Sequence, residues 1–506
     1  MQAAVALTGR QFGLDWLRIG AFGLLIVYHI GMFFVPWGWH VKTAEPIDWA
    51  VWPMMAINPW RLMLLFVISG VVSRALITKL VRPGSFAASR SIRLLLPLLA
   101  GMVIFVAPQP WFELRDRGGY EDGLLHFWLN DYFEFGGSRG TPLPTWNHLW
   151  FIAYLWVYTM GLAILAALPV ELRPKIQHGF DKLFSGWRLI VLPIVWLTIV
   201  RYALHPAFGE THALVDDPYA HAVYGFSFFF GVALARSNTA WTGILGAWKH
   251  LLLIAVLACL AMFAIHAQGN GSALIEASRI AARATLAWCA ILGLLGFAQS
   301  HLHRDSQARR YLTEAIFPFY IVHQTIIIAV GFWLKQTGIA APSQFAIILF
   351  ATLAGCILTY ELGRRVGWLR PFLGLKRKAP IQKKREDDAE TGHGKLKRQR
   401  PHRSELCHGS PLPRGRDFLT AAFALPAPVH GRAAIGPKVA IRCPSYSCRV
   451  KPKIPELCGF SLMAHPTGAD KEASPSSKAF TNAVRASRER EGRLAMTASA
   501  QRWSSL

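Results

Sequence analysis

Apolar residues in this chain come in long, nearly unbroken runs, without the alternating spacing of a half-buried strand. A membrane-spanning helix needs about 20 such residues, because each rises 1.5 Å and the hydrocarbon layer is about 30 Å thick. Ten runs meet or approach that length: roughly 13–34, 54–77, 92–109, 147–168, 187–204, 222–235, 248–267, 284–302, 315–334 and 343–363. The sixth is short. The first lacks a small-residue cleavage site and is expected to stay as a span. The pattern predicts an all-α integral membrane protein, a polytopic bundle of about ten transmembrane helices.

The polar stretches between the runs set the expected orientation. With the N-terminus in the cytoplasm, the inner loops hold Arg74, Lys79, Arg82, Arg90 and Arg93; then Arg173, Lys175, Lys182 and Arg188; then Arg236 and Lys249; then Arg304, Arg309 and Arg310; and last Arg364, Arg365 and Arg370. The outer loops hold most of the acids, among them Glu113, Asp116, Glu121, Asp122, Glu210, Asp216 and Asp217. Basic residues favour the cytoplasmic side, so both termini are expected there. The longest outer loop, about 110–146, is rich in Gly, Pro, acids and aromatics. Ordered loops of that length often cover a site.

Composition agrees with a membrane assignment. Of 506 residues, 53% are hydrophobic and 16% charged, against about a quarter charged in an ordinary soluble domain. The net charge of +25 raises nucleic acid as a partner, but the charge is unevenly placed. From Lys376 onward 26 Lys/Arg face 11 Asp/Glu, and before it 28 face 18, the latter excess lying in loops that topology explains. No nucleic-acid partner is required. The chain therefore divides into a membrane region, 10–375, and a basic, low-complexity tail, 376–506. The tail reads as disordered or as a translated wrong frame. The seven cysteines form no disulfide framework, and "CPSYSC" lacks the spacing and histidines of a zinc site, so no metal is expected.

Polar residues inside the runs are the candidate chemistry, since an ionisable group in hydrocarbon usually marks a site or pathway. In "GLDWLRIGAFGLLIVYHIGMFF", Asp15 and Arg18 share a helix face at the inner end. They can also serve simply as a helix cap and a headgroup contact. His29 lies 14 residues beyond Asp15, about 21 Å deeper. Arg61 enters the second run near the outer face. Arg90 and Arg93, spaced i, i+3, open the third; they satisfy the positive-inside bias equally well or make an anion site at a helix start. His148 opens the fourth run at about the depth of His29, where it can also be an ordinary interfacial residue. His323 and Gln324 lie near mid-membrane in the ninth. Cations thus gather at the inner mouth and histidines in the outer half. That order suits a phosphate-bearing donor arriving from the cytoplasm and base-assisted chemistry towards the outside.

"LDWLRIGAFGLLIVYHIGMFF", "RLMLLFVISGVVSR", "SIRLLLPLLAG", "HLWFIAYLWVY" and "FPFYIVHQTIII" resemble, in order, the motifs of the membrane acyltransferase-3 family. "WGWHV", "NPWRLMLLFVISG" and "LRPFLGLK" are most similar to its glucan-biosynthesis branch, the succinyltransferases of periplasmic glucans. The resemblance covers about residues 10–375. It implies a multi-pass protein of the inner membrane with no tightly bound cofactor. Such a protein moves an acetyl or succinyl group from cytoplasmic acyl-CoA to a carbohydrate hydroxyl outside. By resemblance, His29 is the general base or a transient acyl carrier, and Arg90 and Arg93 bind the CoA phosphates. Arg61 and His148 shape the acceptor side, with His148 a second catalytic candidate. Asp15, Arg18, His323 and Gln324 complete the substrate-binding set. Such chains usually stop soon after the last span; this one continues for about 130 residues.

The competing expectation is a saccharide transporter or flippase that modifies nothing. Transporters often show two related halves, and residues 10–185 and 186–370 show no such repeat.

Overall fold

The computed structural model describes residues 12–80, 82–135, 143–269 and 272–376. The expectations for the tail, apart from its first residue, lie outside these. Among the described residues there are helices and connections and no strand. The main helices are α1 (Phe12–Phe34), α2 (Val51–Ile77), α3 (Pro83–Gly101), α4 (Trp150–Ala167), α5 (Arg188–Phe208), α6 (Phe226–Leu234), α7 (Asn238–Ala267), α8 (Ala273–His301), α9 (Gln307–Leu334) and α10 (Ala341–Arg365).

Nine helical segments among the described residues are long and apolar enough to cross a membrane. The remaining expected span, 222–235, is a shorter helical run over residues 218–234, entered through a π turn at His221–Gly225. It packs closely on α2. A side chain at Gly70 would meet the Phe228 carbonyl, and one at Gly231 would meet the carbonyl of Val67. Backbone replaces side chain along this seam, the usual way membrane helices approach without a hydrophobic driving force.

Helix ends follow local chemistry. Ser237 and Ser306 accept from the Ala240 and Arg309 amides at the starts of α7 and α9. Pro83, at the first position of α3, starts that helix earlier than its apolar run suggests. Arg90 and Arg93 therefore lie well inside α3, away from the free amides of its first turn. This differs from the expectation that they open the helix.

α1, α2, α8 and α9 form the interior, with α1 touching the other three. Phe66 of α2 centres an aromatic cluster with Phe151, Tyr158 and Tyr224. α7 and α10 are peripheral. Their outward faces carry exposed Leu253, Val256, Leu257 and Leu260, and exposed Phe350, Ile357 and Leu358. Apolar belts of this kind are stable against lipid and costly against water.

Candidate active site

α1 and α9 cross at the core of the site. His29 Nδ1 lies 2.8 Å from His323 Nε2, and the two rings are stacked within 8° of parallel. The partners fix the tautomers. His323 Nδ1 faces the Tyr320 carbonyl at 2.8 Å and the Phe319 carbonyl at 3.2 Å, so it must donate. Its Nε2 is then an acceptor in the neutral ring, and His29 Nδ1 donates to it. The lone pair of His29 is thereby placed on Nε2, to which no group among the described residues bonds. This is the logic by which one ring nitrogen's partner decides what the other can do.

The rest of the wall is assembled around Gln109, which is fully buried. Gln109 follows a π turn, Met102–Val106, at the end of α3. Its carbonyl accepts from Asn147 at 2.9 Å and Gln324 at 3.1 Å, and its amide donates to Thr325 at 2.8 Å. The same amide faces His148 Nδ1 at 3.4 Å. His148 Nε2 donates to the Tyr320 and Ile321 carbonyls, each at 3.1 Å. Both nitrogens of His148 are thus engaged by the protein, whereas His29 keeps one free. Asn147 has φ of 38° and His212, across the cavity, φ of 58°. These left-handed backbones are uncommon outside glycine and tend to persist where surrounding structure enforces them.

These residues border a cavity of about 300 Å³. It brings together His29, His148, Arg61 and Gln324, which the sequence singles out, with His40, Asn147, Arg201, Glu210, His212 and Arg283, which it does not. Two smaller cavities, about 40 and about 60 Å³, share Asn58, Arg201 and Arg283 with it. Arg61 is 4% exposed and lies 3.2 Å above the Tyr28 ring. Its Nε and Nη1 are buried without a hydrogen-bond partner. Unmet guanidinium donors are groups that can hold an anion. Glu210 accepts from Tyr224 at 2.5 Å and faces His212 Nε2 at 3.1 Å. Burial alone would raise its pKa, but His212, Tyr224 and Arg283 outweigh burial and hold it down at about 2. It stays ionised beside the arginines.

The other expected residues lie at the opposite end of the bundle. Asp15 pairs with the fully buried Arg309, which Asp305 also holds at 2.7 Å. Arg18 donates to the Thr313 carbonyl at 3.3 Å. Arg90 Nε, Arg74 Nε and the Ser73 hydroxyl are buried there without hydrogen-bond partners. One signal for the missed residues is visible in the sequence. Arg201 lies inside an expected span, where a charge rarely sits idle. His40, Glu113 and Arg283 lie in or beside loops, and only tertiary structure brings them inward.

Residues 11–361 match the profile of the acyltransferase domain family, acyltransferase 3. "Glucans biosynthesis protein C" of Escherichia coli O17:K52:H18 is 23% identical over 400 residues, covering 75% of this chain and 97% of that protein. The protein of the same name from Shigella boydii serotype 4 is 23% identical over 397 residues, with the same shares. No solved structure matches the chain. The multi-helical apolar fold, the histidine-lined cavity and a family match over most of the chain agree: this protein is an acyltransferase and belongs to the acyltransferase-3 family.

Proposed function

We propose that the protein transfers an acyl group from cytoplasmic acyl-CoA to a hydroxyl of an extracytoplasmic carbohydrate, a glucan being the first candidate. The observation that carries this reading is the free Nε2 lone pair of His29, fixed by His323, at a cavity also lined by Arg61, two of whose guanidinium nitrogens are buried without partners. The lone pair is the reacting group, and Arg61 receives negative charge on the acyl group. The curated relatives carry glucan biosynthesis in their names, which supports the choice of acceptor.

The donor is placed at the other end. Arg18 lies 11 residues before His29 on α1, about 16 Å along the helix. Arg90 and Arg74 bring buried, unsatisfied donors to that inner region, and Arg93 lies one turn after Arg90 on α3. CoA phosphates held there would leave the thioester to reach towards His29 on an extended arm. His323, Gln324 and His148 hold the walls, and Asp15 orders the inner mouth through Arg309. Succinyl fits this arrangement better than acetyl, because its terminal carboxylate answers Arg61. The setting is a multi-pass protein of the inner membrane.

The test is direct. Membranes containing the full chain receive radiolabelled succinyl-CoA or acetyl-CoA on the cytoplasmic side and periplasmic glucan on the other. Label is expected on the glucan, more from succinyl-CoA. Movement of unmodified glucan with no label from either donor would favour transport and contradict the proposal.

A further inference from the structure

His40 sits in the connection after α1, six residues beyond its end. That connection is pinned: Thr43 and Ile47 amides donate back to the Phe33 and Phe34 carbonyls, and the Lys42 ammonium donates to the Val35 and Trp37 carbonyls. The His40 ring is therefore placed at the cavity wall by backbone, not by chance. Its Nδ1 lies 2.5 Å from Glu113 Oε2. An ionised carboxylate only accepts, so Nδ1 donates and the lone pair falls on Nε2. The Gln324 amide, 3.3 Å from that Nε2, agrees with this tautomer; it also donates to Gln109 at 3.1 Å, and an acceptor hydroxyl at His40 takes the place of the longer contact. The second oxygen of Glu113 is held by Arg117, whose side chain is 46% exposed. A histidine, its orienting carboxylate and a route to water are thus present at one edge of the cavity.

We infer that His40, oriented by Glu113, is the base that takes the proton from the acceptor hydroxyl. The inference deepens the proposed acyl transfer and rests on it. The alternative base is His29, but once its Nε2 carries the acyl group that ring has no lone pair left to take a proton. A base finishes its step as a cation, and His40 would do so with a carboxylate at 2.5 Å. The two histidines therefore divide the work. His29 Nε2 attacks the thioester carbonyl, the C–S bond breaks, CoA leaves inward as the thiolate, and His29 is left as an N-acylimidazolium. The acceptor hydroxyl then loses its proton to His40 Nε2 as its oxygen attacks the acyl carbon. The C–N bond breaks with its electron pair on His29 Nε2, restoring the lone pair and the neutral ring, and His40 passes its proton to water, from which the thiolate is protonated. His40 is a catalytic residue in this scheme and Glu113 a positioning residue.

Two assays on the full-length protein separate the halves. Exchange of labelled CoA into acyl-CoA without acceptor reports the His29 half. Transfer to glucan reports both. His40→Ala and Glu113→Gln are expected to keep exchange within about threefold while transfer falls about 100-fold, the usual range for a lost general base. Added imidazole should restore transfer to His40→Gly. Transfer unchanged in both variants would overturn the inference. So would exchange and transfer falling together without imidazole rescue, which is what a purely structural His40 gives. Wild-type protein that acylates nothing from either donor overturns the acyl-transfer reading itself, and the dyad with it.

Discussion

At the residue scale, the deciding feature is which donors and lone pairs the protein leaves unmet. His148 spends both nitrogens on the fold, His29 spends one, and Arg61 keeps two guanidinium nitrogens buried and unpartnered. Arg61→Met preserves the stem against Tyr28 and removes the charge. It is expected to raise KM for succinyl-CoA about tenfold or more, since a hydrogen bond to a charged group contributes about 1.5–3 kcal/mol. KM for acetyl-CoA should change much less. Equal changes for both donors would remove Arg61 from recognition of the acyl group. His29, Arg61 and His323 are legible in the sequence because charge or imidazole inside an apolar run is conspicuous. His40 and Glu113 are not, because they are 73 residues apart and each sits where polar residues are ordinary.

At the element scale, the helices were readable almost in full, since twenty apolar residues admit few other solutions in lipid. Two departures have physical causes. α3 begins at Pro83, because proline presets the first helical turn and polar residues can extend a helix beyond its apolar run. The 218–234 run is short because it is clamped to α2 through Gly70 and Gly231, so its depth is set by packing. Gly231→Leu is expected to force that seam apart. Overpacking costs about 1–3 kcal/mol where neighbours can yield, and here the obstacle is the Val67 backbone, which yields less. A lowered thermal transition and reduced yield of folded protein in detergent are the expected results. An unchanged transition would mean that α2 and α6 are not held by this contact.

At the scale of the whole molecule, the charges sort by end, and the fold keeps them there. Glu210 illustrates how the outer cluster contributes to stability. Its folded pKa, about 2, lies below its ordinary value of 4.5. Its contribution is therefore complete above about pH 4.5 and is lost as pH falls towards 2. Thermal transitions of wild type and Glu210→Gln should differ by a constant amount at neutral pH and converge in acid. A difference that grows on acidification would reverse the assigned sign.

The account as a whole depends on one lone pair facing an acyl donor across the membrane. The measurement that tests it most directly is label on glucan from succinyl-CoA, wild type beside His29→Ala, in membranes matched for folded protein. The account predicts transfer by wild type and a loss of at least about 100-fold in the variant, with the thermal transition preserved. Transfer by His29→Ala at the wild-type rate would contradict it.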